Sequence, residues 1–289
     1  MKRQDFRFFH SLRVRWVEVD MQKIVFNAHY LMYFDTAITD YWRALSLPYE
    51  EAMHLLGGDL YVKKAGLEYH GSAHFDDRLK VALRCDWVGN SSIAFSGAIF
   101  RGDELLVSSE LVYVFADPTT QTSKPVPEPL RLTLTGFENG QSTYTIKTGS
   151  WAELGADAAK VRLEVFVHEQ KIPLELEWDE ADQTALHAVA YNTLGQAIGC
   201  ARLLSSLLSE PPQAAKVGRM AVKRVLRGSN VGAALLNVLM GTARQRGHVE
   251  MLLHAQRSAQ GFYERAGFMV RGEPFEEVNI AHVEMFKTL

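Results

Sequence analysis

From Asp117 to Ser142 the chain reads "DPTTQTSKPVPEPLRLTLTGFENGQS", with Pro118, Pro125, Pro127 and Pro129 crowded into its first half. Proline has no N–H for a sheet ladder and fixes its own φ, so no central strand can run through that first half. The polar run "ENGQST" follows from Glu138. In a chain of 289 residues, at a usual ~100–200 residues per domain, this break predicts two domains with separate cores. We place them at 1–139 and 142–289, with Lys124 to Pro129 expected to act as a spacer. No internal repeat relates the two halves.

The halves carry different patterns. In the first, Val14, Trp16 and Val17 suggest an opening strand, and Leu31, Phe34, Ile38, Trp42 and Leu45 recur at helical spacing. Apolar residues then alternate from Leu79 to Trp87, from Ile93 through Phe95 and Gly97 to Ile99, and from Leu105 to Phe115. "RGDE", Arg101 to Glu104, is the expected turn between the last two strands. One helix followed by several alternating strands predicts an α+β domain, a sheet half covered by a helix. The second half restarts with a strand, "TYTIKT", and a helix from Ala158 to Glu169. A strand pair about the turn "NTLG" follows, then the strand "KVGRMAV" and a helix from Asn230 to Arg246. The strand "EMLLHAQ", the short helix "AQGFYERAG" and a closing strand from Ala281 to Lys287 complete a mixed α/β pattern.

Charge and cysteine content narrow the partners. A net charge of −3 without a Lys/Arg block offers nothing to nucleic acid or to an anionic membrane. No apolar run reaches membrane-spanning length, and "MKRQDFRFF" has no apolar stretch behind its basic residues, so a signal peptide and membrane insertion are not expected. Cys85 and Cys200 lie far apart, outside any CxxC pair. That pattern fits a reducing, cytoplasmic location and gives no cysteine-ligated metal. His70 and His74 stand in an extended segment without a third ligand, and no metal is expected there.

In the first half, Asp20 stands where an apolar strand gives way to a helix. Most acids at such a point are helix caps or solvated loop residues, but one can also act beside free backbone N–H groups on a docked carbonyl. The stretch "VDMQKIVFNAHYLMYFD" resembles the 4-hydroxybenzoyl-CoA thioesterase-like group of the hotdog superfamily, through Asp20, Ile24, Val25, Asn27 and Tyr30. The resemblance continues through "YHGSAHFDD", "SSIAFSGAIF" and "KPVPEPLRLTLTGFE", covering most of residues 8–138. It implies a sheet wrapped around one helix, assembly into at least a dimer, and thioester hydrolysis. By the same resemblance, Asp20 is the catalytic carboxylate and the Asn27 backbone N–H polarises the thioester carbonyl. Gln22 and Lys23 depart from the small residues usual in that turn, and Asn27 replaces the His of one branch.

In the second half, "MAVKRVLRGSNVGAALLNVLM" runs from a strand through a turn into a helix, whose free N-terminal amides suit a pyrophosphate. Gly228 and Gly232 permit close backbone approach. With "LLHAQRSAQGFYERAGF", this stretch resembles the GNAT superfamily of acyl-CoA-dependent N-acetyltransferases, in which a strand precedes an Arg-x-x-Gly-x-Gly turn. Asn230 replaces the first glycine of that turn. "VFVHEQKIPLELEWDEADQTALHAVA" resembles the ElaA-type branch, so the likeness spans about Tyr144 to Leu289. It implies that Met220, Ala221 and Val222 pair with the pantetheine arm. Arg227, Gly228, Ser229, Asn230, Val231 and Gly232 would hold the pyrophosphate. Tyr263 would protonate the departing thiolate, a role the motif favours over that of a core aromatic beside Phe262 and Phe268. Glu169, Glu177, Asp179 and His187 stay open as candidates for the base. The joint expectation is a fused homo-oligomeric protein with acyl-CoA or acetyl-CoA as co-substrate, an amine acceptor and no tightly bound cofactor. Its competitors are a protein with one catalytic domain and one acyl-CoA sensor, and one whose hotdog half is an oligomerisation scaffold.

Overall fold

The computed structural model describes residues 1–205 and 214–289. The chain divides into two compact units, Met1–Thr143 and Tyr144–Leu289. No helix among the described residues is long and apolar enough to cross a membrane.

The first unit is an α+β domain. Its elements are β1 (Phe8–Arg13), α1 (Asn27–Ala44), α2 (Tyr49–Leu56), β2 (Asp59–Tyr69), β3 (Arg78–Val88), β4 (Ser92–Arg101), β5 (Glu104–Ala116) and α3 (Glu128–Glu138). The five strands form one antiparallel sheet in the order β1-β3-β4-β5-β2. Helix α1 turns Tyr30, Tyr33, Phe34, Ala37, Ile38, Tyr41 and Trp42 inward. Tyr41 meets Phe8, Phe95 and Phe137 edge-on at 5.3–5.4 Å, which ties the helix to two strands and to α3.

Three expectations are corrected here. Trp16 and Val17 lie in a single 3₁₀ turn and are 74% and 73% exposed, and the opening strand is Phe8–Arg13 instead. Leu31 is exposed, because the tyrosines of α1 supply the stripe at its N-terminal end. Lys124 to Pro129 is no spacer. The Lys124 N–H bonds the Phe115 carbonyl, the Val126 N–H bonds that of Asn90, and Pro127 opens α3, whose Leu130 and Leu134 are fully buried.

The second unit is a mixed α/β domain. It comprises β6 (Tyr144–Gly149), α4 (Trp151–Arg162), a π-helical stretch (Leu163–Glu169), α5 (Leu174–Glu177), β7 (Leu186–Asn192), β8 (Ala197–Ser205), β9 (Ala214–Val222), α6 (Val231–Gln245), β10 (Glu250–Gln256), α7 (Gln260–Arg265), β11 (Met269–Glu277) and β12 (Ile280–Thr288). The sheet order is β11-β12-β10-β9-β8-β7-β6, antiparallel except for β9 against β10. Alternation along β7 sends Ala188 and Ala190 to the core under α6, and Val189 and Tyr191 to the core under α4. The expected helix from Ala158 begins earlier, at Trp151, where Glu153 accepts the Ser150 N–H, and its last seven residues widen into the π form. Strand β11 was not anticipated, because nearly all of its residues are exposed and show no alternation.

In the first unit, Gly97 lets α1 approach β4. A Cβ there would lie 2.5 Å from Phe34 Cε1, and Phe34 is fully buried. Gly97→Ala should therefore cost about 1–3 kcal/mol by overpacking, read as a lower denaturation midpoint. The cost should shrink in a Phe34→Leu background; an equal cost there would show that Phe34 is not the obstacle.

Candidate functional site

Each unit brings sequence-marked residues to a cleft, though Gly228, Ser229, Asn230, Val231 and Gly232 do not line the second. In the first, residues 20–24 form a tight turn closed by the Asp20 N–H on the Ile24 carbonyl, 2.9 Å, and the Lys23 N–H on that of Asp20, 3.0 Å. Bridges from Val19 to Val25 and from Ile24 to His74 hold the turn in place. Asp20 caps its own turn rather than the helix, since its Oδ1 accepts the Gln22 N–H at 2.8 Å. Lys23 adopts φ +64°, a left-handed conformation that favours glycine, which explains why a small residue suits this position.

Helix α1 then starts at Asn27 with Phe26 at its N-cap and no side-chain cap, so geometry leaves its first N–H groups without intrahelical acceptors. Asp20, Phe26, Asn27, Tyr30 and Tyr69 line an open cleft of about 480 Å³. Tyr30 is buried, accepts the Ala73 N–H at 2.9 Å and meets Tyr69 edge-on. Sequence reasoning missed Glu18. This buried acid accepts the Arg15 N–H at 2.7 Å and the Tyr33 hydroxyl at 2.9 Å, while its carbonyl takes the Phe26 N–H. Burial pushes its carboxyl up, but the Arg15 and Tyr33 bonds outweigh that and hold it below the ordinary value.

The second cleft exists because β9 and β10 part. They pair only from Ala214 to Val217 against Glu250 to Leu253. Beyond that, among the described residues, no strand pairs with the β10-facing edge of Gly218 to Val222. On its other edge, β9 bulges. Arg219 and Met220 together face Ala201 of β8, and Arg219 adopts φ +50°. The cleft of about 690 Å³ reaches Met220, Ala221, Val222, Arg227 and Tyr263.

A 3₁₀ turn leads from β9 into Arg227, Gly228 at φ +88° and Ser229. Asn230 is the N-cap of α6 at φ +66°, a conformation asparagine tolerates better than most residues, and Val231 and Gly232 begin the helix with no side-chain cap. A Cβ on Gly232 would meet only ordinary contacts at 3.6 Å, so the fold itself does not demand glycine there. Arg227 is forked onto Glu169 with two 2.7 Å bonds, and that bonding holds the Glu169 carboxyl below its usual range. To reach a phosphate, the Arg227 side chain must exchange that partner. Tyr263 is a core aromatic that also lines the cleft. Its ring packs edge-on against Phe262 and Phe268 in the core, and its hydroxyl points to Met220 Sδ at 3.6 Å in the cleft. Burial pushes that hydroxyl up to about 12.

The other acids considered as a base are also tied. Arg162, 1% exposed, lies over the rings of both Trp151 and Trp178 and bonds Glu177 and Asp182. Arg202 bonds Asp179 and Asp182, and Arg219 reaches Asp179 at 3.1 Å. His187 is buried, with Nε2 2.9 Å from the Asp182 carbonyl, and burial pushes its pKa down. Among the cleft groups that escaped sequence reasoning are Gln256, which donates to Gln170 at 2.9 Å, and His254. The alternation of "EMLLHAQ" held the signal, since Met251, Leu253 and Ala255 face the core and leave His254 and Gln256 on the other face. Among the described residues, no group of three or more His, Cys, Asp or Glu side chains could hold a metal ion.

The Arg202 hydrogen bond holds the Asp179 carboxyl below its ordinary value, against its partial burial. Its contribution to stability is thus present above the unfolded carboxylate pKa and lost as pH falls through the lower folded value. Asp179→Asn should flatten the acid limb of a stability–pH curve measured by urea melts from pH 5 downward. An unchanged slope would show that Asp179 carries none of it.

Comparison with known proteins agrees with this division. Residues 22–108 match the thioesterase superfamily, and residues 154–289 match the acetyltransferase (GNAT) domain. The chain is 33% identical over 132 residues to the uncharacterized N-acetyltransferase YjcF of Bacillus subtilis, covering 45% of this chain and 90% of that protein. It is 29% identical over 128 residues to protein ElaA of Escherichia coli, covering 44% of this chain and 82% of the relative. Elsewhere it is 29% identical over 96 residues to a putative esterase of Aquifex aeolicus, covering 33% of this chain and 74% of the relative.

Proposed function

The chain belongs to the acetyltransferase (GNAT) family through its second unit and carries a thioesterase-superfamily domain in its first, and from that membership we propose that both units process acyl-CoA. One observation carries the reading: each cleft lies at a passage into a helix that has no side-chain cap, the first lined by Phe26 and Asn27 at the start of α1, the second reaching Arg227, three residues before the Asn230 N-cap of α6. Such a start supplies aimed N–H groups and a positive dipole end. In the first unit those N–H groups, led by Asn27, polarise a thioester carbonyl while Asp20 attacks it or activates water. In the second, the starting amides of α6 and the turn from Arg227 to Gly232 take the pyrophosphate. The open edge from Met220 to Val222 takes the pantetheine amides as an added strand would. The Tyr263 hydroxyl, protonated at neutral pH, then donates to the departing thiolate as an acetyl group passes to an amine. Exposed Leu31 and Met32 on α1, with Tyr61 and Val62 on the edge strand β2, support assembly of the first unit with a second copy.

Asp20→Ala should lower acyl-CoA hydrolysis about 10²-fold or more, assayed as free thiol in a variant whose melting is unaltered. Near-normal hydrolysis would remove Asp20 from the mechanism and favour the scaffold reading, to which the bond between Asp20 and Gln22 already lends weight.

Acetyl-CoA should raise the melting temperature of the full chain, because a ligand at a hundredfold excess over its Kd stabilises the folded state by about 2.7 kcal/mol. Arg227→Ala should reduce that shift. No shift at millimolar acetyl-CoA would count against a working cofactor site.

A further inference from the structure

Every group the sequence offered as a base in the second unit is already engaged, Glu169, Glu177 and Asp179 by arginines and His187 by burial. An amine acceptor is an ammonium ion at neutral pH and cannot attack until it loses a proton. On the acyltransfer reading, which this inference rests on, the arm runs back along β9 from Val222 to the bulge. At about 3.3 Å per residue, the four steps to Gly218 span about 13 Å, which brings the thioester to the point where the strands part. Leu253 is the last residue of β10 paired with β9, opposite Val217. His254 comes next, level with Gly218, on the cleft side.

We infer that His254 is the catalytic base for the acceptor amine and that Glu277 positions it. The ring edges on Phe275 with centroids 4.9 Å apart. Nδ1 lies 3.4 Å from Glu277 Oε2 on β11, so the tautomer with Nδ1–H facing the carboxylate leaves Nε2 a lone pair. Nε2 in turn stands 3.4 Å from the ammonium of Lys216 on β9 and 3.9 Å from Glu284 Oε2 on β12. His282 stacks on the same Phe275 with centroids 6.0 Å apart. The Lys216 ammonium thus occupies the place an acceptor ammonium takes, donating to Nε2. In the reaction His254 Nε2 accepts one ammonium proton and passes it to solvent. The freed nitrogen lone pair forms the C–N bond, and the C–S bond breaks. The second nitrogen proton, lost in that step, restores through solvent the Tyr263 proton taken by sulfur.

The test compares two kinds of acceptor, with N-acetyl product measured by mass for the full chain and acetyl-CoA. One kind is a panel of primary alkylamines, protonated at neutral pH; the other is hydroxylamine, already unprotonated there. His254→Gln should lower transfer to the alkylamines about 10²-fold or more and leave transfer to hydroxylamine within about threefold, the difference reserved for lost base catalysis. Glu277→Gln should lower alkylamine transfer less and hydroxylamine transfer not at all. Equal activity of His254→Gln on both acceptors, or equal loss on both, overturns the proposal. So does a wild-type chain that uses hydroxylamine but no alkylamine. A wild-type chain that acetylates neither amine overturns the acyltransfer reading, and this inference with it.

Discussion

Backbone groups without ladder or helix partners are the constraint around which both units are built. A buried N–H or C=O left unpaired costs as much as a lost hydrogen bond, so a fold normally pairs all of them. Here the first turns of α1 and α6 have no side-chain cap, and one edge of β9 loses its neighbour after Val217. The start of α1 and the open edge of β9 line clefts, where water or a ligand can satisfy such groups. The elements around each cleft must then hold the opening without help from cross-cleft pairing.

Different devices do so in the two units. In the first, the turn of residues 20–24 is pinned by bridges, and Glu18 fastens it to α1 through Tyr33 and the Phe26 N–H. In the second, Arg162, Arg202 and Arg219 interlock with Glu177, Asp179 and Asp182, and Arg202, Arg219, Glu177 and Asp179 of this cluster line the cleft. Three guanidiniums against three carboxylates leave no uncompensated buried charge, the condition under which such a cluster is tolerated at all. The pair of Arg227 with Glu169 joins the π-helical stretch to the loop before α6. A π stretch widens the helix where it adjoins the cleft, a placement common at functional sites.

Much of the architecture was legible because its periodicity is local. Alternation from Leu79 to Phe115 marked three strands that pair as successive hairpins, and the turn at Arg101 to Glu104 sits where the charged, glycine-containing run stood. Errors arose where hydropathy and burial disagree. Trp16 and Val17 are apolar yet exposed, Tyr30, Tyr33 and Tyr41 are polar-tipped yet buried, and β11 carries no pattern because solvent meets nearly all of it. The prolines around Val126 signalled the end of the ladder correctly, but not that the chain would fold back onto Asn90 and Phe115 before entering α3.

By itself the sequence determined two mixed folds, their families and the residues that stand at strand-to-helix turns, since each of these depends on neighbours within a few positions. Only the tertiary structure decided what those residues touch. The fork of Arg227 on Glu169 spans 58 positions, the bond of Arg202 to Asp179 spans 23, and the Gln256 bond to Gln170 spans 86. The parting of β9 from β10 has no local sign either, because a strand that pairs for four residues and one that pairs for nine carry the same alternation. Which backbone edge stays open, and which imidazole stands beside it, is settled by register between segments distant in the chain, and no short stretch of residues encodes that register alone.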